Sequence, residues 1–226
     1  MQIEGKRVLV SGASRGLGRT LAFAFARAGA MEVLAGTRRE ADRNALNDAA
    51  AKLGANITPV QLEIRSDQDV NAVAQLGPID ILVNNAGIAG YGNPLAQDFA
   101  TIEEEIEVNY LGTLRMVRAF APTMIEQGEG VIVNIATAFA KVNLPLVGTY
   151  CATKSALLSL GQALRAYLSD RGVVVITVLP TTIDTDMSKG AGVPSTNDGG
   201  TETPMPTSAI RSKDGERACR SCFTDG

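Results

Sequence analysis

Tyr150 and Lys154 stand at i and i+4 in Tyr150-Cys151-Ala152-Thr153-Lys154, a separation that puts both side chains on one face of a helix. A free phenol has a pKa of about 10 and is a poor base at neutral pH. A neighbouring ammonium favours the phenolate and draws that value toward the working range. Such a pair can hand a proton to a carbonyl oxygen as hydride arrives, or remove it in the reverse direction. The spacing alone is common, and it takes its meaning from the rest of the chain. The sequence contains no histidine. Ser-His and Cys-His catalysis and His-ligated zinc are therefore excluded, and proton chemistry falls to Tyr, Lys, Asp or Glu.

A second group of residues is suited to phosphate. Gly12, Ser14, Arg15, Gly16, Leu17 and Gly18 form a G-x-x-x-G-x-G turn. It sits between a short apolar run (Val8 to Val10) that reads as a buried strand and a segment whose apolar residues recur at helical intervals. Leu17, Leu21, Ala22, Phe25 and Ala28 form that face, and Gly29 stands at the C-cap. Strand, glycine turn and helix together aim backbone N–H groups and a helix N-terminus at a phosphate. Glycines let a pyrophosphate approach the backbone.

The elements that must position these groups alternate along the chain. Strands are predicted at Met31 to Ala35, Ile57 to Leu62, Ile79 to Val83, Val131 to Ile135 and Val173 to Leu179. Helices are predicted at Ala41 to Leu53, from Ser66 to Leu76, Thr101 to about Met124, and Tyr150 to Leu168. Ser66 and Asp69 resemble a capping box. Strands that read as continuous apolar runs between helices predict a parallel sheet covered on both faces, a doubly wound α/β fold (Rossmann-like) in a single domain. Ligands of such folds lie beyond the carboxyl ends of the strands. The residues that follow each strand, namely Gly12 to Gly18, Thr37 to Arg39, Glu63 and Ile64, Asn84 to Gly87, Ala136 and Thr137, and Pro180 onward, therefore outline one site.

An acidic residue ending the second strand would bond the ribose hydroxyls of NAD and repel a 2′-phosphate. Here Thr37, Arg38 and Arg39 occupy that place, with Arg15 in the glycine turn. Arginine matches phosphate with a fork of donors, so NADP(H) is favoured over NAD(H). Glu40 nearby offers one of these arginines an internal partner.

The chain has 226 residues and a net charge of −3, the size of one large domain with no basic patch for nucleic acid. Three cysteines make no disulfide framework, and no run approaches a membrane span, so a cytoplasmic protein is expected. Cys219 and Cys222 have C-x-x-C spacing but lack two further ligands for a metal. Gly190 to Gly226 is rich in Gly, Pro, Ser and Thr without usable periodicity, and reads as an irregular tail to a domain spanning 1–189.

Ser11-Gly12-x-x-x-Gly16-x-Gly18, Asn84-Asn85-Ala86-Gly87, Asn109 in Val-Asn-Tyr-Leu-Gly-Thr, and Tyr150-x-x-x-Lys154 occur in order. Together they resemble the short-chain dehydrogenase/reductase family, from about Lys6 to Met187, with most likeness to β-ketoacyl-carrier-protein-reductase-like members. The resemblance implies hydride transfer between NADP(H) and a small-molecule carbonyl or secondary alcohol. It makes Tyr150 the acid/base and gives Lys154 the nicotinamide ribose. It has Asn109 position a water that relays protons, and it puts Thr137 where the family has a carbonyl-orienting serine. Glu63 would replace an aspartate that accepts from adenine. Ile64, Asn85 and Ile183 would make backbone contacts, with Ala86, Gly87 and Pro180 beside them. The resemblance further implies a homodimer or homotetramer through the two long helices. Two departures, Thr181 after Pro180 and the tail, leave a catalytically weak nucleotide-binding protein as the alternative reading.

Overall fold

A computed structural model describes residues 2–181 of the chain, so the expectations for Ile183 and for the tail 190–226 lie outside the described residues. β1 (Arg7–Val10), α1 (Gly16–Arg27), β2 (Glu32–Thr37), α2 (Glu40–Leu53), β3 (Ile57–Gln61), α3 (Asp67–Ala74) and β4 (Ile81–Asn84) follow one another. Then come α4 (Phe99–Ile106), a π-helical turn (Glu107–Gly112), α5 (Thr113–Gln127), β5 (Gly130–Ile135), α6 (Gly148–Leu168) and β6 (Val173–Val178). The sheet has six strands in the order β3-β2-β1-β4-β5-β6, and every pair is parallel. This is the doubly wound arrangement that the alternation predicts. The strand order reverses between β1 and β4, and a crevice opens there at the carboxyl ends.

Alternation along β1 divides the core. Val8 and Val10 pack with Val33, Ala35, Ile81 and Val83 on the face covered by Ala22 and Phe23 of α1 and Leu46 of α2. Leu9 packs on the opposite face with Leu34, Leu82 and Ile132, under Met116, Phe120 and Met124 of α5. With both faces buried, each apolar side chain of a central strand contributes about 1.5–3 kcal/mol, which explains the uninterrupted apolar run from Val8 to Val10.

The local signals hold where they were strongest. Ser66 caps α3, its hydroxyl accepting from the Asp69 N–H at 3.1 Å. Gly29, just past α1, has a φ of 86°. The expected long helix from Thr101 is different. It is α4 and α5 joined through the π-helical turn, and Asn109 lies in that turn. Apolar periodicity cannot register one widened turn, because the contacts that hold it come from distant chain. β2 continues to Thr37, so Thr37 ends the strand rather than following it. Among the described residues no helix is long and apolar enough to cross a membrane.

Candidate active site

Ser11, at the end of β1, ties the two central strands together. Its hydroxyl accepts from the N–H groups of Asn85 and Ala86 at 3.0 and 3.1 Å. The Asn85 amide in turn donates to the carbonyls of Ser11 and Gly12. The glycine turn is packed so closely that Gly12 and Gly18 have no room for a side chain. A Cβ on Gly12, where φ is +67°, would stand 2.8 Å from the Ala86 Cα. One on Gly18 would stand 2.3 Å from the Gly12 carbonyl oxygen and 2.4 Å from the Asn85 amide. The turn and the N-terminus of α1 thus present bare backbone to the crevice, the arrangement that suits a pyrophosphate.

α6 brings Tyr150 and Lys154 to the other side. Lys154 is 4% exposed, and its ammonium donates to the Ile135 carbonyl at the end of β5 at 3.0 Å. It lies 5.8 Å from the centre of the Tyr150 ring. Burial draws the Lys154 pKa down to about 8. The Tyr150 phenol moves the other way. Burial raises it, and the neighbouring Cys151, Tyr91 and Glu105 add to the rise. The sequence predicts that the lysine draws the tyrosine down; in the folded protein desolvation raises the phenol instead, and it keeps its proton.

Asn109 is fully buried. Its side chain accepts from the Ile88 N–H, and donates to the Ile88 carbonyl and to the Thr153 hydroxyl, each at 2.9 Å. The π-helical turn is thereby pinned both to the loop after β4 and to α6 beside Lys154. Gly87 fits against the same pair, since a Cβ there would lie 3.1 Å from the Asn109 carboxamide oxygen and 3.2 Å from the lysine nitrogen. The Thr137 hydroxyl accepts from the Phe139 N–H at 3.3 Å and donates to the Pro180 carbonyl at a long 3.5 Å.

At the far end the arginines differ. Arg39 is held by Asp42 in a two-pronged bond of 2.8 and 2.9 Å, so its internal partner is Asp42 rather than Glu40. Arg38 is exposed and only loosely paired, 3.8 Å from Glu63. Glu63 is engaged by Arg65, accepting from its N–H and its guanidinium at 3.1 and 3.0 Å. Burial pushes the Glu63 carboxyl up, but the Arg65 bonds outweigh it and hold the group below the usual carboxylate range.

One cavity of about 720 Å³ gathers these groups. Gly12, Ser14 to Gly18, Thr37, Arg38, Glu63, Ile64, Asn85 to Gly87, Thr137, Tyr150, Lys154 and Pro180 all line it. Asn109 stands behind it. Tyr91, Phe139, Leu144 and Val147, within the stretches 89–99 and 139–149 that the sequence assigns to the shape of the substrate pocket, form a wall of the cavity; sequence reasoning missed the roles of Ser11 and Arg65. A polar residue ending the central strand was a readable signal for Ser11. Among the described residues no group of acidic residues and cysteines is placed to hold a metal.

The family model described as short chain dehydrogenase matches residues 6–193. A short chain dehydrogenase of Monascus ruber is 32% identical over 83% of this chain and 66% of its own length. A 3-oxoacyl-acyl-carrier-protein reductase of Aquifex aeolicus is 32% identical over 83% of this chain and 78% of its own. This chain thus spans about two thirds to three quarters of such relatives. A short chain dehydrogenase of Burkholderia cenocepacia, solved with NADP, superposes with a TM-score of 0.78 at 38% identity over 86% of this chain and 80% of that one. A gluconate 5-dehydrogenase from the same organism, solved with NADP and tartrate, gives 0.79 at 28% identity over 84% and 76%.

Proposed function

This chain belongs to the short-chain dehydrogenase/reductase family, a family of NAD(P)-dependent oxidoreductases, and we propose that it transfers hydride between NADP(H) and a small-molecule carbonyl or secondary alcohol. The observation that carries this reading is the joining, in one cavity, of a bare glycine turn, Arg38 at one end, and Tyr150 with Lys154 at the other. A bound nicotinamide supplies or accepts the hydride. Gly12 and Gly18, where a Cβ would collide with backbone or with Asn85, fit the passage of its pyrophosphate.

The chain's own groups do the rest. The half-buried Tyr150 phenol holds the proton that a reduced carbonyl oxygen must receive. Thr137, whose hydroxyl is only weakly engaged by Pro180, supplies a second donor to that oxygen. Lys154, with a pKa of about 8, gains and gives up a proton near neutral pH and recharges the tyrosine. Asn109 holds the π-helical turn against Ile88 and Thr153 and keeps this end of the site in register. A nucleotide-binding protein without turnover would not need these four groups beside one cavity.

Arg38 supports the choice of NADP(H), because a loosely paired guanidinium is available to a 2′-phosphate while Arg39 is committed to Asp42. Residues 1–189 make up the catalytic domain in this reading, and the enzyme works as a homodimer or homotetramer through its long helices. Titration with NADPH and then NADH, followed by nicotinamide fluorescence, tests it. NADPH is expected to bind more tightly, and Arg38→Asp to weaken it about 10- to 100-fold, the worth of one charged hydrogen bond. An unchanged preference in that variant would remove Arg38 from the reading, and binding of neither cofactor would overturn it.

A further inference from the structure

The cavity is chemically divided. Its charged lining residues other than Lys154, namely Arg15, Arg38, Arg39, Asp42 and Glu63, all come from the segments after β1, β2 and β3, the cofactor end. On the far side of Tyr150 the lining is Ala89, Tyr91, Phe139, Leu144 and Val147. The polar atoms described at that end are the hydroxyls of Thr137, Tyr150, Tyr91 and Thr181, together with backbone. Lys154 is the one cation lining the site near it among the described residues, and its ammonium is turned to the Ile135 carbonyl.

We infer that the substrate is an uncharged ketone or aldehyde whose skeleton beside the carbonyl is apolar, alkyl or aryl, rather than a polyhydroxy acid. This rests on the oxidoreductase reading above and deepens it. A substrate carboxylate placed against Phe139, Leu144 and Val147 would be desolvated with no guanidinium or ammonium among the described residues to receive it. The buried Glu105, which accepts from the Gly90 N–H at 2.6 Å behind the loop bearing Ala89 and Tyr91, offers such a group no counter-charge. Glu105 lies close enough to act electrostatically on Tyr150. Substrate hydroxyls fare little better, because each one buried on an apolar wall without a partner weakens binding about tenfold or more. An alkyl or aryl group gains from the same wall. The gluconate 5-dehydrogenase that superposes so well therefore shares the scaffold with this chain, and gluconate as a substrate does not carry over.

The experiment is a carbonyl panel on the full chain with NADPH, read by the loss of nicotinamide fluorescence. Acetophenone, cyclohexanone and hexanal are set against ketogluconate, fructose and dihydroxyacetone, and NADPH binding is titrated on the same preparation. The apolar carbonyls are expected to give kcat/KM at least about 100-fold above the hydroxylated ones, two unpaired hydroxyls at about tenfold each. Equal or greater turnover of ketogluconate or fructose would overturn the inference while leaving the oxidoreductase reading intact. NADPH binding without turnover of any apolar carbonyl would also overturn it. Failure of NADPH itself to bind would bring down the oxidoreductase reading, and this one with it.

Discussion

Replacing Lys154 by methionine separates the stability of this fold from its chemistry. In the unfolded chain the ammonium is solvated and titrates near 10.5, whereas in the folded protein burial draws it to about 8. Between those values the unfolded chain binds more protons than the folded one, so the contribution of this residue to stability rises with pH across that window. Below about pH 8 the cost of burying the charge is fully present. At about 1.36 kcal/mol per pH unit, the fall from 10.5 to about 8 makes that cost about 3 kcal/mol. Methionine preserves the length of the side chain and removes the charge, but it leaves the Ile135 carbonyl without its donor, a loss of about 1–2 kcal/mol. Lys154→Met should therefore be more stable than the parent by about 1–2 kcal/mol at about pH 7, with the gap narrowing by about 1 kcal/mol at about pH 9. Turnover should fall at least about 100-fold. Urea unfolding of both proteins at the two pH values, followed by circular dichroism, measures this, and the difference between them cancels the other titrations. A variant less stable than the parent at the lower pH, or a gap that does not move with pH, would refute the idea that a buried ammonium is held there at a cost.

Three other substitutions probe the site. Gly18→Ala drives a methyl to within 2.3 Å of the Gly12 carbonyl oxygen; a destabilisation of about 1–3 kcal/mol and at least about tenfold weaker NADPH binding are expected from unfolding curves and fluorescence titration. Asn109→Ala removes three hydrogen bonds of a fully buried side chain and should cost about 2–4 kcal/mol, read from the urea midpoint, with a larger drop in turnover than in NADPH affinity. Thr137→Val should lower kcat by about 100-fold with NADPH binding unchanged, and Thr137→Ser should restore it; equal activity of the two variants would remove the hydroxyl from the mechanism.

Much of this was legible in the residues themselves. Val8 to Val10 had to be a buried strand, because an uninterrupted apolar run bounded by a charged pair and a glycine turn has no other economical use. The succession of such runs with helices between them fixed a parallel, doubly wound sheet, since parallel neighbours require crossovers. Tyr150 and Lys154 were readable as a pair because helical spacing is local. The same holds for the Ser66 cap of α3 and for the glycine turn.

Tertiary structure decided what depended on distant chain. The long helix broke into α4, a π-helical turn and α5 because Asn109 reaches Ile88 and Thr153, contacts that no local period encodes. Arg38 and Arg39 look equivalent in sequence; the folded chain gave Arg39 to Asp42 and left Arg38 at 3.8 Å from Glu63. The tyrosine and lysine were legible as partners but not in their proton affinities, because the field around each group depends on how much water the surrounding elements exclude. Spacing determined that Tyr150 and Lys154 share a face, and burial determined that the phenol keeps its proton while the ammonium holds its own loosely. Covalent order sets which neighbours are near along the chain; solvent exclusion is a property of the whole packed assembly, and no single stretch of sequence contains it.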